Sequence, residues 1–170
     1  TAEAAVMAKD LTKRGEVVVS AAVHPEYRQV LRTYTRPLGM SIVEIAHRGG
    51  RTDPAEVERT VTERTAALII QHPNFLGGLE DGRALAEAAH RRGALLVAAI
   101  AEPLSLGILR PPGEWGADVV AGEGQSLGNH LNFGGPYLGM MATKQEYVRR
   151  IPGRLVGATV DTKGRRAFVL

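Results

Sequence analysis

The sequence predicts a three-layer α/β/α fold, in which helices cover both faces of a mostly parallel β-sheet. Two patterns support this prediction. Helical segments alternate with short apolar segments along the 170 residues, which is the order of elements in a βαβ fold. The apolar segments are continuous rather than alternating, as is typical of strands buried on both faces. No repeat, linker or low-complexity tract divides the chain, so we expect residues 1–170 to form a single α/β domain.

The first half of the chain contains three predicted helices and three predicted strands. Gly15 is the expected end of the first helix. The third helix has the clearest start, because Asp53 is suited to the N-cap, Pro54 to the first helical position and Glu56 to a capping box. We predict helices at residues 1–14, 26–34 and 54–64, and strands at residues 17–19, 41–45 and 66–71.

The second half continues this alternation and ends in a different pattern. Gly93 follows a helical segment and is the usual type of residue for a left-handed C-cap. The tail, residues 154–170, contains two strand-like runs that are joined by a turn-rich tetrapeptide at residues 161–164. We predict helices at residues 79–92 and 145–150, and strands at residues 94–101, 118–121 and 137–142.

Composition argues against several functional classes. The chain is 44% hydrophobic and 23% charged, which is ordinary for a globular domain. Its net charge of +3 comes from arginines that are spread along the chain, whereas a nucleic-acid interface would cluster them. Cysteine is absent, which fits a reducing compartment. No apolar run reaches the roughly 20 residues that span a bilayer, and no signal peptide is visible. We expect a cytoplasmic protein that binds neither nucleic acid nor membrane.

Seven polar residues follow the predicted strands at the edge where ligands bind. In open α/β sheets this is the edge formed by the carboxyl ends of the strands. A structural role stays open for several of them: the histidines, Gln125 and Ser126 would then only support their own loops, and Glu102 would only cap the turn at residues 104–106. The seven candidates are His72, Asn74, Glu102, Glu123, Gln125, Ser126 and His130.

Two common kinds of site do not match the sequence. Gly122, Gly124 and Gly128 have the spacing GxGxxxG, and a long loop follows them instead of the helix that a dinucleotide fingerprint requires. No Gly-Lys-Ser/Thr phosphate loop occurs. The five histidines are scattered, and no two of them have the spacing of metal ligands. We therefore predict neither a nucleotide site nor a metal site.

Five segments of the chain resemble the glycine cleavage P-protein family. The similarity covers nearly the whole chain in the correct order, and it is greatest to the first subunit of those P-proteins that are divided between two subunits. Several long segments in order are more specific than any single glycine motif. The segments are VHPEYRQVLRTY (23–34), QHPNFLGGLED (71–81), AEPLSLGILRPPGEWGAD (101–118), GEGQSLGNHLNFGGPYLGMMATK (122–144) and PGRLVGATVDTKGRRAFVL (152–170).

This resemblance implies the aspartate-aminotransferase-like fold of pyridoxal-phosphate (PLP) enzymes, fold type I. The chain would be the core of the large domain, truncated at both ends, with an N-terminal part and a C-terminal small domain missing. Residues 1–4 would then lie just inside the helix whose N-terminus holds the cofactor phosphate in active relatives. Both ends of the sequence look cut, which agrees with this expectation.

The resemblance also implies that this chain lacks the cofactor-binding lysine. Family members carry it in the loop after the strand that corresponds to residues 118–121, whereas this chain has Glu123-Gly124-Gln125-Ser126 there. Neither an amide nor a hydroxyl forms an imine with an aldehyde. Relatives commonly have Asp-Pro, with the aspartate facing the pyridine nitrogen, where this chain has Glu102-Pro103. Both departures fit a subunit that kept the fold and lost the catalytic centre.

The implied activity is PLP-dependent decarboxylation of glycine, with transfer of the aminomethyl group to the lipoyl arm of the H protein. A homologous second subunit would carry the lysine and hold PLP. The seven candidate residues would form a wall of the cofactor and substrate pocket, without covalent chemistry. Two alternatives stay open: a PLP enzyme that acts alone through Lys144, and a scaffold subunit without a role in the pocket.

Overall fold

The computed structural model describes residues 1–135 and 137–170, which form a central six-stranded sheet and two small hairpins. The sheet order is β2-β1-β5-β6-β7-β8. Five of these strands are parallel, and β8 runs antiparallel to β7 at the edge. The strands are β1 (Glu16–Ser20), β2 (Ser41–Ile45), β3 (His47–Arg48), β4 (Arg51–Thr52), β5 (Thr65–Gln71), β6 (Leu95–Ile100), β7 (Val119–Glu123), β8 (Gly139–Thr143), β9 (Gly157–Val160) and β10 (Arg166–Val169).

Helices pack on both faces of the sheet, as the continuous apolar strands predict. Alternate residues of β1 separate the two cores: Val17 and Val19 face α1 and α2, and Val18 faces α3 and α4. The three-layer prediction is therefore confirmed. The α-helices are α1 (Ala2–Thr12), α2 (Pro25–Thr35), α3 (Pro54–Thr60) and α4 (Gly82–His90), and 3-10 helices lie at Arg36–Leu38, Pro103–Gly107, Pro112–Trp115, Gln125–Leu127 and Gln145–Arg150.

The start of α3 agrees with the sequence prediction, and its end does not. Asp53 is the N-cap, and its side chain accepts the N–H of Ala55 at 2.9 Å. Glu56 does not complete a capping box, because its carboxylate turns to Arg59 and Thr60. The helix ends at Thr60 instead of residue 64. After that point the Thr62 hydroxyl accepts the N–H of Arg64, and such side-chain bonds compete with helical ones.

The bounds of two further helices and the type of another differ from the predictions. The first helix ends at Thr12, and Lys13 takes the left-handed conformation expected near Gly15. The fourth helix begins at Gly82, three residues later than predicted, because Asp81 is its N-cap and accepts the N–H of Ala84. The segment Gln145–Arg150 is a 3-10 helix. No helix in the described part of the chain is long and apolar enough to cross a membrane.

One of the two hairpins was predicted from the sequence, and the other was not. The predicted tail hairpin is present as β9 and β10, and Asp161 closes its turn by accepting two backbone N–H groups at 2.8 and 2.9 Å. The β3–β4 hairpin was not predicted. Its turn consists of Gly49 and Gly50, which have φ values of 57° and 79°. Two glycines between short strands are a hairpin signal, because both turn positions need positive φ.

Candidate functional site

The carboxyl ends of the parallel strands meet at one edge of the sheet, which we call the carboxyl edge. All seven predicted site residues follow strands that end there. His72 and Asn74 follow β5, Glu102 follows β6, and the remaining four belong to the end of β7 and its loop. The structure divides these residues into a buried group and a more exposed group.

The buried group surrounds the carboxylate of Glu80, a residue that is only 6% exposed. The Thr52 N–H donates to Oε2 at 2.9 Å, and the Asn74 amide donates to Oε1 at 2.8 Å. The Thr52 hydroxyl lies 3.1 Å from Oε1 and 2.7 Å from the Ser20 hydroxyl. Because a carboxylate only accepts, Thr52 donates to Glu80 and Ser20 donates to Thr52. We call Ser20, Thr52, His72, Asn74 and Glu80 the Glu80 cluster.

His72 belongs to this cluster through its ring nitrogen. Nδ1 accepts the backbone N–H of Glu80 at 3.2 Å, and the ring lies edge-on to Trp115 with 5.6 Å between centroids. Burial lowers the pKa of His72, an effect that the Glu80 charge partly opposes. The ring is therefore neutral at pH 7, with its proton assigned to Nε2. Asn74 is fixed as well, because its amide also donates to the Gly50 carbonyl at 2.7 Å.

The more exposed group begins with Glu102. One of its oxygens accepts the Ser126 hydroxyl at 2.6 Å and the N–H of Leu104 at 2.9 Å. These bonds, the one from Ser126 first, lower the pKa of Glu102. The capping alternative therefore describes one of its roles, since Glu102 is the N-cap of the 3-10 helix Pro103–Gly107. Its bond to Ser126 also ties the loop after β6 to the loop after β7.

Glu123 ends β7 and organises the loop that follows. Its Oε1 accepts the N–H groups of Gly124, Gln125 and Leu138 at 3.0, 3.0 and 3.1 Å. The Gln125 amide donates to the Asn129 carbonyl at 2.8 Å, which is a bond within the loop. The side chain of His130 in the same loop is exposed.

A pocket of about 280 Å³ opens beside Glu123 at the N-terminus of α1. Burial raises the pKa of the Tyr27 hydroxyl, and the charge of Glu123 adds to that increase. A carboxyl side chain is therefore among the groups beside this pocket. It is lined by Thr1, Ala2, Tyr27, Val30, Ala121, Gly122 and Glu123.

Sequence reasoning missed three members of the Glu80 cluster. Ser20 directly follows the predicted strand at residues 17–19, so its position at the carboxyl edge could be predicted although its partner could not. Thr52 lies in the hairpin that was not predicted. Glu80 lies within the predicted helix at residues 79–92, whereas the structure begins α4 at Gly82 and leaves Glu80 in the preceding loop.

Lys144 lies at the opposite edge of the sheet from the seven candidates. It follows the antiparallel strand β8 and forms an ion pair with Asp118, which precedes β7. The Asp118 side chain is 2% exposed and also accepts the N–H of Leu96 at 2.7 Å. Burial opposes the charge of Lys144, but the hydrogen bond and charge of Asp118 outweigh it and raise the pKa of Lys144. The side chain is therefore an ammonium, which is not nucleophilic.

The described residues at the carboxyl edge do not fit a covalently bound PLP. They include no lysine, and the carboxylate that would face the pyridine ring, that of Glu102, is bonded to Ser126 and Leu104. The three remaining lysines lie elsewhere. Lys9 donates to the Leu38 carbonyl, Lys13 follows α1, and Lys163 lies in the turn of the tail hairpin. Within residues 1–135 and 137–170, no group of three acidic or histidine side chains is placed to hold a metal ion.

Comparison with known proteins connects this geometry to one family. Residues 1–170 match the family described as glycine cleavage system P-protein. The chain is 52% identical over 169 residues to proteins named probable glycine dehydrogenase (decarboxylating) subunit 1 from Desulforamulus reducens and Desulfitobacterium hafniense. In both comparisons the match covers 99% of this chain and 38% of the relative. The chain thus spans well under half the length of these relatives.

Solved structures agree with this result. A glycine decarboxylase (P-protein) of the glycine cleavage system, in inhibitor-bound form, has a TM-score of 0.91 and 51% identity over 99% of this chain and 37% of that one. An aspartate aminotransferase from Thermus thermophilus has a TM-score of 0.64 at 20% identity, over 88% of this chain and 43% of that one, which is a likeness of fold alone. The predicted aspartate-aminotransferase-like fold is confirmed, and the chain belongs to the glycine cleavage system P-protein family.

Proposed function

We propose that this chain is part of a P-protein subunit that takes part in the decarboxylation of glycine and in transfer of the aminomethyl group to the lipoyl arm of the H protein. Family membership and the names of the relatives support this activity. The observation that carries the subunit assignment is the chemistry of the carboxyl edge. Its described side chains offer carboxylates, amides, hydroxyls and imidazoles, and no amine with which PLP would form a covalent bond.

On this proposal, PLP is bound by a homologous second subunit that carries the lysine, in a cytoplasmic heteromeric complex. The described chain would be the core of a large domain, with further parts of the subunit before and after it. Three partners follow: the lysine-bearing subunit, the lipoylated H protein and glycine.

The seven candidate residues would form one wall of the shared pocket. Their contacts favour different roles in that wall. His72 and Asn74 are fixed in the Glu80 cluster, which makes them rigid supports. Ser126 and Glu102 join two loops, so they would keep the wall closed between β6 and β7. His130 is exposed, which leaves it accessible to a partner or substrate.

A reductive trapping experiment tests the subunit assignment. The full-length subunit would be co-expressed with its lysine-bearing partner, and the complex would be treated with borohydride, which fixes PLP to the lysine that holds it. We expect peptide mapping to find the pyridoxyl group on the partner alone. A pyridoxyl group on Lys144, or on any other lysine of this chain, would refute the assignment. Lys144→Ala is the control, and it should leave the labelling unchanged.

The activity itself needs a separate assay. We expect the untreated complex to release carbon dioxide from glycine only when lipoylated H protein is present. A stable, PLP-loaded complex without this activity would count against the family function. The scaffold alternative would gain if a variant with alanine at Gln125, Ser126 and His130 kept full activity, because the wall then has no role in the pocket.

A further inference from the structure

The tail hairpin formed by β9 and β10 lies outside both hydrophobic cores of the domain. Neither strand pairs with the six-stranded sheet, and the two core clusters of the described residues include no member of the tail. Val160, Phe168 and Val169 are 65%, 59% and 55% exposed. A hairpin of two strands is only marginally stable by itself in water, and an exposed apolar patch of this kind is typical of an interaction site.

The tail also holds the excess positive charge of the chain. Its net charge is +3, which equals that of the whole sequence, so the rest of the chain is neutral overall. The only acidic residue of the tail, Asp161, pairs with Arg165. The other three basic residues of the tail form no ion pair with any described carboxylate, and they are Arg154, Lys163 and Arg166.

One face of the hairpin combines apolar and cationic groups. Phe168 pairs with Ala158 across the strands, and Arg166 pairs with Val160, so these four side chains lie on the same face. The Arg166 guanidinium lies over the Phe168 ring, 5.1 Å from its centroid. Aromatic and arginine side chains are enriched in protein interfaces. We call Ala158, Val160, Arg166 and Phe168 the Phe168 face.

We propose that the Phe168 face docks on the lysine-bearing subunit, against an apolar surface with carboxylates at its rim. The inference rests on the proposed function and names the part of this chain that meets that partner. The apolar side chains need permanent cover, which is typical of obligate subunit interfaces and not of a carrier protein that binds and leaves. The unpaired basic side chains require acidic groups opposite them, because complementary charges steer association. A nucleic acid would match the charge but leave the apolar side chains uncovered.

The first test reverses charge in the full-length subunit. The variant Lys163→Glu with Arg166→Glu is compared with Arg36→Glu and Arg83→Glu, which change the net charge equally at two exposed arginines elsewhere. Surface plasmon resonance measures association with the lysine-bearing subunit at about 50 mM and about 500 mM salt. We expect the tail variant to bind at least about tenfold more weakly at the lower salt concentration. The difference should shrink at the higher one, because salt screens exposed charges. The control variant should bind like the natural chain.

The second test removes apolar area from the same face. Val160→Ser with Phe168→Ser should weaken association at least about thirtyfold at both salt concentrations, because aromatic side chains at the centre of an interface carry much of its binding energy. Val169→Ser, on the opposite face of the hairpin, is the control and should bind like the natural chain. In the isolated full-length subunit the unfolding temperature should be the same for all these variants. Hydrogen exchange of the hairpin amides should slow when the complex forms.

Every other occupant of the face gives its own result, and each would overturn the proposal. A lower unfolding temperature of the isolated subunit with Val160→Ser and Phe168→Ser would mean that another part of the same subunit covers the face. Unchanged subunit association with a raised KM for lipoylated H protein would assign the face to that carrier. Unchanged subunit association with salt-dependent binding of a random DNA duplex, lost on charge reversal, would assign it to nucleic acid.

Two further results would also refute the inference. One is that the natural chain and both tail variants bind the lysine-bearing subunit equally well. The other is that the Arg36 and Arg83 control weakens association as much as charge reversal in the tail, which would mean that only net charge matters. Association is measured without covalent labelling and without activity. A pyridoxyl group on a lysine of this chain, which would refute the subunit assignment, therefore remains a separate observation.

Discussion

The loops after β5 and β7 both carry predicted site residues at the carboxyl edge, yet they are held in different ways. The β5 loop is fixed by buried side chains, since Glu80 receives donors from Thr52 and Asn74. The β7 loop is fixed mainly by its own backbone, which donates to Glu123. The first loop depends on buried contacts between segments far apart in sequence, and the second depends mainly on one side chain, Glu123, and on the exposed bond from Ser126 to Glu102.

Exposure follows the same division only for the polar residues that hold each loop. Asn74 and Glu80 are buried in the β5 loop, although Phe75 and Leu76 of that loop are exposed. In the β7 loop the exposed apolar residues are Leu127, Leu131 and Phe133, with Phe133 at 95%. A loop with few buried contacts opens at a lower free-energy cost than a buried one. The difference suggests that the β5 loop is the fixed part of the proposed wall and that the β7 loop is its adaptable part.

The strongest way to break this comparison is to remove the acceptor at the centre of the Glu80 cluster. Glu80→Ala leaves the Thr52 N–H and the Asn74 amide buried without their acceptor, and we expect a loss of about 3 kcal/mol of stability. Glu80→Gln is the matched control and should lose less, because it keeps an acceptor oxygen. Native-state hydrogen exchange of the Thr52 amide in the full-length subunit measures both losses. A loss below about 1 kcal/mol for the alanine variant would mean that packing, and not Glu80, fixes the loop.

The next largest expected effect is the pH dependence of the stability that His72 contributes to the Glu80 cluster. Burial lowers the pKa of His72 from its usual value of 6.5, so the unfolded chain binds this proton more readily than the folded one. The stability contribution is therefore present above about pH 6.5 and is lost as the pH falls through the folded pKa of His72.

Protonation of Nδ1 would also displace the Glu80 N–H that this atom accepts. We expect exchange of the Glu80 amide, corrected for intrinsic rates, to accelerate as the pH falls from about 7 to 5. In His72→Asn this acceleration should disappear. If both proteins show the same pH dependence, His72 does not hold the loop through its neutral ring.

The sequence predicted the parts of this architecture that depend on local patterns. Continuous apolar runs gave the central strands, and Asp53 with Pro54 marked the start of α3. The Glu80 cluster could not be predicted in this way, because Ser20, Thr52 and Glu80 meet only after the sheet has brought three segments together. A carboxylate at the start of a predicted helix looks like a surface residue until its donors are known.

The hydrogen bonds of the β7 loop could be predicted only in part, because only some of them are local in sequence. Two of the three donors to Glu123 come from the next two residues, but the third comes from Leu138, after a loop whose course the sequence does not specify. The antiparallel direction of β8 could not be predicted either, since an apolar run has the same composition in a parallel and in an antiparallel strand. That direction places Lys144 at the far edge, which is the main structural argument against its acting on PLP.

The smallest expected effect tests the link between the β6 and β7 loops. Ser126→Ala removes the hydroxyl that donates to Glu102, and because this bond is exposed we expect almost no loss of stability. The electrostatic effect is easier to detect. The Ser126 bond is the first cause of the lowered pKa of Glu102, so we expect that pKa to rise in the variant. Carboxyl-carbon NMR titration of Glu102 measures the change, and Ser126→Thr, which keeps the hydroxyl, should leave the pKa low. If the alanine variant titrates like the natural chain, the Leu104 N–H alone sets the acidity of Glu102, and the two loops are held independently.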